Sequence, residues 1–153
     1  MAADSLRDAL LMLAAGAGVP VLASLNAALG QRIGSPVAAA AVLFAVAFVV
    51  VAGGLILSGG AGALRLVPAQ PKALFLGGVL IAFYLVSITT VAPRFGLGNA
   101  ILFVLLGQIA TAALIDHFGL TGLPPRPVSA LRLWGLGLMA AGVVVCQKAQ
   151  SGA

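Results

Sequence analysis

The chain has 153 residues, of which 62% are hydrophobic and only 7% charged. Water-soluble domains carry about a quarter charged residues, so this composition excludes an ordinary soluble enzyme or binding module. The net charge of +5 is spread over the ends and every connection rather than gathered in a patch. It is therefore read as loop charge facing water and lipid headgroups, with no nucleic-acid partner.

Residues 9–31 and 35–62 contain no charged side chain. Uncharged apolar runs of about 20 residues match a hydrocarbon core about 30 Å thick at about 1.5 Å rise per residue. The expected fold is all-α: one polytopic integral membrane domain over 1–153 with five transmembrane helices. The first covers about 9–29. Small residues at Leu22-Ala23-Ser24 look like a cleavage site. However, Asp4 and Asp8 beside Arg7, and an apolar run longer than a signal core, favour a retained helix.

The second helix, 36–57, opens on Ser35-Pro36, a cap followed by proline at the first helical position, and breaks at Ser58-Gly59-Gly60. The third covers 73–91, after Gln70-Pro71-Lys72, and is expected to end at Ala92-Pro93-Arg94 because proline interrupts the hydrogen-bond ladder. The fourth covers 96–115 and stops at Asp116-His117-Phe118-Gly119. Leu123-Pro124-Pro125-Arg126-Pro127 is too proline-rich to be helical. The fifth, the shortest, covers 129–146, with Ser129 as its cap, Arg132 placed to snorkel and Trp134 at the interface.

Twenty glycines with abundant alanine allow close helix approach, and Gly16, Gly18, Gly53-Gly54, Gly77-Gly78, Gly135 and Gly137 are expected at helix–helix contacts. Cys146 is the single cysteine, read as a packed thiol, and no internal disulfide can form. His117 and three aspartates (Asp4, Asp8, Asp116) leave no metal-ligand cluster, so no cofactor is expected.

Five crossings put the two ends on opposite sides. Arg7, Arg65, Lys72, Arg126 and Arg132 then lie on one side, and Arg32, Arg94 and Lys148 on the other. Five against three is a weak bias. Two readings stay open: a weakly specified orientation with the N-terminus in the cytoplasm, or insertion in both orientations, which lets two copies pair antiparallel as an inverted repeat.

Polar side chains inside the helices are few, and burying them unpaired in hydrocarbon costs several kcal/mol. Asn26 follows Pro20 and Ser24 in the first helix. Tyr84, Ser87 and Thr90 recur every three residues in the third and share roughly one face, with Thr89 beside it. Gln108 is at mid-span in the fourth, with Thr111 about one turn on and Asn99 near the start. Asn26 and Gln108 suit either bonding across helices or ligand contact. The hydroxyls of Ser87, Thr89, Thr90 and Thr111 can instead be satisfied on their own backbone. Tyr84 lies away from the interface where tyrosines usually sit. Asp116 and His117 fit a solvated helix end or a gate. No nucleophile stands beside a base, so no enzyme activity is expected.

Specific residues then bring a family into view. Pro20 with Asn26 and Leu29-Gly30, then Leu76-Gly77-Gly78 and Tyr84, follow one another in order. Ala92-Pro93-Arg94-x-Gly96, Gly107-Gln108 and Asp116-His117-Phe118-Gly119-Leu120-x-Gly122 come next, with Pro127-x-Ser129 and Arg132-x-x-Gly135. This pattern resembles the half-size, five-helix YdcZ-like proteins of the drug/metabolite transporter superfamily. The resemblance implies an inner-membrane transporter of a small solute, working by alternating access as a homodimer or with a paired homologous subunit in an antiparallel arrangement. Where the family pattern has glutamine two residues after the first-helix proline, this chain has Leu22. On this reading Asn26, Tyr84 and Gln108 are the substrate-binding residues, Ser87 and Thr111 secondary contacts, and Asp116 the gating or coupling candidate. There is no glutamate at all and no acid at membrane centre, so coupling would use Asp116, a partner subunit, another ion or nothing. A competing reading is a non-transporting membrane subunit that stabilises or recruits a partner.

Overall fold

The structure is a computed structural model and describes residues 2–120 and 127–151. Among these there is no strand. Five α-helices follow in order: α1 (Ala2–Ile33), α2 (Pro36–Leu57), α3 (Leu76–Phe95), α4 (Leu97–Phe118) and α5 (Ala130–Ser151). All five are long and apolar enough to cross a bilayer. Between α2 and α3 lie a 3-10 segment, Gly60–Ala69, and a 3-10 turn, Lys72–Phe75. The chain forms two compact units, Met1–Leu97 and Gly98–Ala153.

In the first unit, α1, α2 and α3 pack against one another. The α1–α2 connection is two residues long, and each has a definite job. Gly34 takes the left-handed conformation (φ 70°), letting Ser35 N–H reach the Gly30 carbonyl at 3.0 Å and close α1. Ser35 Oγ then accepts from Ala38 N–H at 3.1 Å, and Pro36 supplies the first position of α2. The start and stop of α2 thus fall where Ser35-Pro36 and Ser58 place them.

The buried row of α1 is Ala23, Asn26, Ala27 and Gly30, and that of α3 is Leu85, Ile88, Thr89 and Ala92. Both repeat at i, i+3, i+4 and i+7, the spacing of one helix face. Ala39 and Ala40 of α2 complete the seam. Gly30 lies where α1 meets both α2 and α3. A Cβ there would lie 3.0 Å from Thr89 Cγ2 and 3.3 Å from Pro36 Cα. In contrast, the glycines expected to make contacts (Gly16, Gly18, Gly53, Gly54, Gly77, Gly78, Gly135, Gly137) have open space where a Cβ would stand. That expectation fails within the single chain, because small size permits contact but only the inward face meets a neighbour.

Other boundaries also differ from the sequence reading. At 32 residues α1 is about 48 Å long, so it outruns the hydrocarbon. Hydropathy marks only its apolar part, and nothing in residues 2–8 stops the helix. Proline does not end α3 at residue 92. Pro93 lies in the last turn, where its missing N–H removes a single bond, and α3 stops at Gly96 (φ 87°), whose N–H bonds to the Ala92 carbonyl at 3.0 Å. The fourth helix continues through Asp116 and His117 to Phe118, and α5 is as long as α2 and α4. Ser129 does cap α5, accepting from Arg132 N–H at 3.2 Å. Apart from Pro127, the proline-rich stretch 123–127 lies outside the described residues. Cys146 is exposed rather than packed.

Candidate functional site

Within the first unit the polar centre is a short chain of hydrogen bonds. Asn26 (3% exposed) donates through Nδ2 to Thr89 Oγ1 at 2.5 Å, and Thr89 (2% exposed) donates through Oγ1 to the Leu85 carbonyl at 2.6 Å. The residue facing Asn26 is therefore Thr89, not Ser87 or Thr90. Thr90 bonds the Val86 carbonyl of its own helix at 2.8 Å, and Ser87 is half-buried. The signal that could have found Thr89 is its place in the i, i+3, i+4, i+7 row with Leu85, Ile88 and Ala92.

Two buried polar atoms in this unit have no hydrogen-bond partner among the described residues: Asn26 Oδ1 and the Tyr84 hydroxyl. In an apolar setting such an orphan costs about 1–3 kcal/mol, which makes each a position where a ligand group would be stabilised. Asn26 also belongs to the wall of a groove of about 320 Å³ between α1 and α2. Leu22, Leu25 and Leu29 line one side, and Val42, Leu43 and Val46 the other.

The second unit holds the remaining candidates, so the six predicted site residues divide into Asn26, Tyr84 and Ser87 in one unit and Gln108, Thr111 and Asp116 in the other. Gln108 lies at the middle of α4 and is exposed, as is Thr111. The α4 face turned to α5 carries Ala110, Ala113 and His117, which with Val128 and Leu136 line a cavity of about 490 Å³. By helical rotation Gln108 stands on the opposite side of α4 from that face.

Asp116 Oδ2 accepts from Arg132 Nη2 at 2.9 Å, with both side chains partly exposed. Beside it His117 Nδ1 accepts from Val128 N–H at 3.2 Å, and the His117 ring meets Phe118 edge-on with centroids 4.8 Å apart. These contacts tie the end of α4 to the start of α5. An ion pair between residues sixteen apart has no local sequence signature, so the sequence alone does not mark Arg132 as the partner of Asp116. No group of three or more His, Cys, Asp or Glu that could hold a metal occurs among the described residues.

Five apolar spans with sparse neutral polar groups define a polytopic α-helical membrane protein. Residues 9–145 match the family described as "Putative inner membrane exporter, YdcZ", and the chain belongs to that family. It is an integral inner-membrane protein with a membrane-transport role. No curated protein and no solved structure matches it.

Proposed function

We propose that this protein moves a small solute by alternating access as an antiparallel dimer of the drug/metabolite transporter type. Asn26, Tyr84 and Gln108 line the path, Ser87 and Thr111 make secondary contacts, and Asp116 acts in gating or coupling. The observation that carries the reading is Gln108: an amide at the midpoint of a membrane span, exposed on the single chain. Left against lipid, it would forfeit several kcal/mol of hydrogen bonding, so protein or a hydrated cavity covers it. Bare glycine faces such as Gly53-Gly54 and Gly135-x-Gly137 leave room for another chain to approach closely. The near balance of basic residues on the two sides favours insertion both ways round.

The test is reconstitution in proteoliposomes with a solute screen, together with reporter fusions at each terminus. Solute flux that Asn26→Ala and Gln108→Ala reduce is the expected result. Flux untouched by both substitutions removes the proposed path. No flux at all, with co-purification of another membrane chain, favours the partner-stabilising subunit instead.

A further inference from the structure

The groove between α1 and α2 has one polar feature, and its chemistry is one-sided. Asn26 offers two N–H donors and one carbonyl acceptor. Its Nδ2 is turned to Thr89 on α3, while Oδ1 is buried and takes no hydrogen bond among the described residues. The rest of the wall is aliphatic: Leu22, Leu25 and Leu29 face Val42, Leu43 and Val46. The volume of about 320 Å³ lies at the small end of ligand pockets, which run from about 300 to 1,000 Å³. Leu25 is 68% and Val46 60% exposed, so the groove has an open side within this unit.

We infer that this groove binds a small lipophilic molecule carrying a single hydrogen-bond donor, a hydroxyl or N–H, which enters from the bilayer and bonds to Asn26 Oδ1. An anion finds no positive charge here, and an inorganic cation finds too few oxygens. A lipid acyl chain fits the aliphatic wall but leaves Oδ1 unpaired. The inference deepens the solute-transport reading by naming a solute class, and it rests on that reading for its role in flux.

The probes are para-propylphenol and its methyl ether, which share a shape and differ in the donor. Binding is measured on protein in lipid nanodiscs by the ligand-induced shift in unfolding temperature, with concentrations corrected for partition into lipid. The phenol should half-saturate at about tenfold lower concentration than the ether, the value of one buried hydrogen bond. In Asn26→Leu that ratio should fall to about one. In Val46→Trp, which fills the groove from its exposed wall and leaves the Asn26–Thr89 bond in place, both probes should lose binding. Thr89→Val, which keeps Oδ1, should retain the preference for the phenol.

Equal binding of phenol and ether to the unmodified chain overturns the inference, since that is the behaviour of an acyl-chain groove. So does phenol binding that survives Val46→Trp. The two readings fail separately. Selective phenol binding with no flux in proteoliposomes leaves the site and removes transport, whereas solute flux unaffected by Val46→Trp removes the site and leaves transport.

Discussion

Asn26 and Thr89, sixty-three positions apart, form a buried side-chain bond at 2.5 Å that fastens α1 to α3, and the Thr89 hydroxyl in turn donates a hydrogen bond to the Leu85 carbonyl. In a bilayer the hydrophobic effect cannot hold helices together, so such a bond and close backbone contact take over that work. Replacing Thr89 by Val should cost about 1–2 kcal/mol, because it leaves a donor of Asn26 buried and unpaired. Thr89→Ser keeps the hydroxyl and should recover most of that loss. Unfolding by SDS titration in mixed micelles reads both, and equal stability of Val and Ser variants would rule the bond out as a structural link.

Gly30 supplies the close contact. A methyl group there meets Thr89 Cγ2 at 3.0 Å and Pro36 Cα at 3.3 Å, and backbone cannot step aside cheaply. Gly30→Ala should therefore destabilise by about 1–3 kcal/mol. Gly78→Ala, where nothing lies within 4 Å, should stay within about 0.5 kcal/mol in the monomer. The same unfolding assay compares them, and a reversed order would show that α1, α2 and α3 meet elsewhere.

Gln108→Leu separates assembly from folding. The amide is exposed, so its loss should leave the unfolding energy of the single chain unchanged. If it bonds across a dimer, association should weaken about threefold to twentyfold. Photobleaching counts in liposomes at graded protein density measure that shift. An unaltered dimer fraction places Gln108 away from the interface.

The Asp116–Arg132 pair is partly exposed at 2.9 Å, a setting in which ion pairs contribute under about 1 kcal/mol. Asp116→Asn should accordingly leave stability nearly intact. If the pair gates the α4–α5 end, flux should change severalfold, and the charge-swapped double variant Asp116→Arg with Arg132→Asp should restore it. Flux that tracks neither the break nor the swap would reduce the pair to a surface contact.

The connection between α2 and α3 carries its own expectation. In a 3-10 helix side chains eclipse every three residues, so Leu64 and Val67 share one row, Ala63 and Leu66 another, and Arg65 lies on the third with Gly62 and Pro68. Such a segment suits the membrane interface, with Arg65 at the phosphates. Spin labels on single cysteines at Leu66 and Arg65, in a Cys146→Ser background, should report Leu66 deeper than Arg65. Equal oxygen accessibility at both would take the segment off the interface.

The spans were legible because charge exclusion is a property of composition, and α2 was legible to the residue because Ser35-Pro36 and Ser58 act locally. Ser129 as a cap was legible for the same reason. Pro93 misled because its effect depends on where it falls in the helix: in the last turn it removes one bond instead of a ladder. The contact glycine could not be told from the others, since Gly30 and Gly53 are identical until neighbouring helices choose a face. Asn26 stood out by being an amide in an apolar run. Its partner did not, because three hydroxyls compete within Ser87–Thr90, and only packing selects one.

The buried row of α1 begins at Ala23, while residues 5–18 are exposed along their whole length. Between the two lies Pro20, which has no N–H to offer the Gly16 carbonyl. The helix is thus packed against α2 and α3 from Ala23 onward, while at Pro20 its hydrogen-bond ladder lacks one rung. That missing rung is where bending α1 costs least, so any tilt of its exposed first half would turn on Pro20, just ahead of the groove.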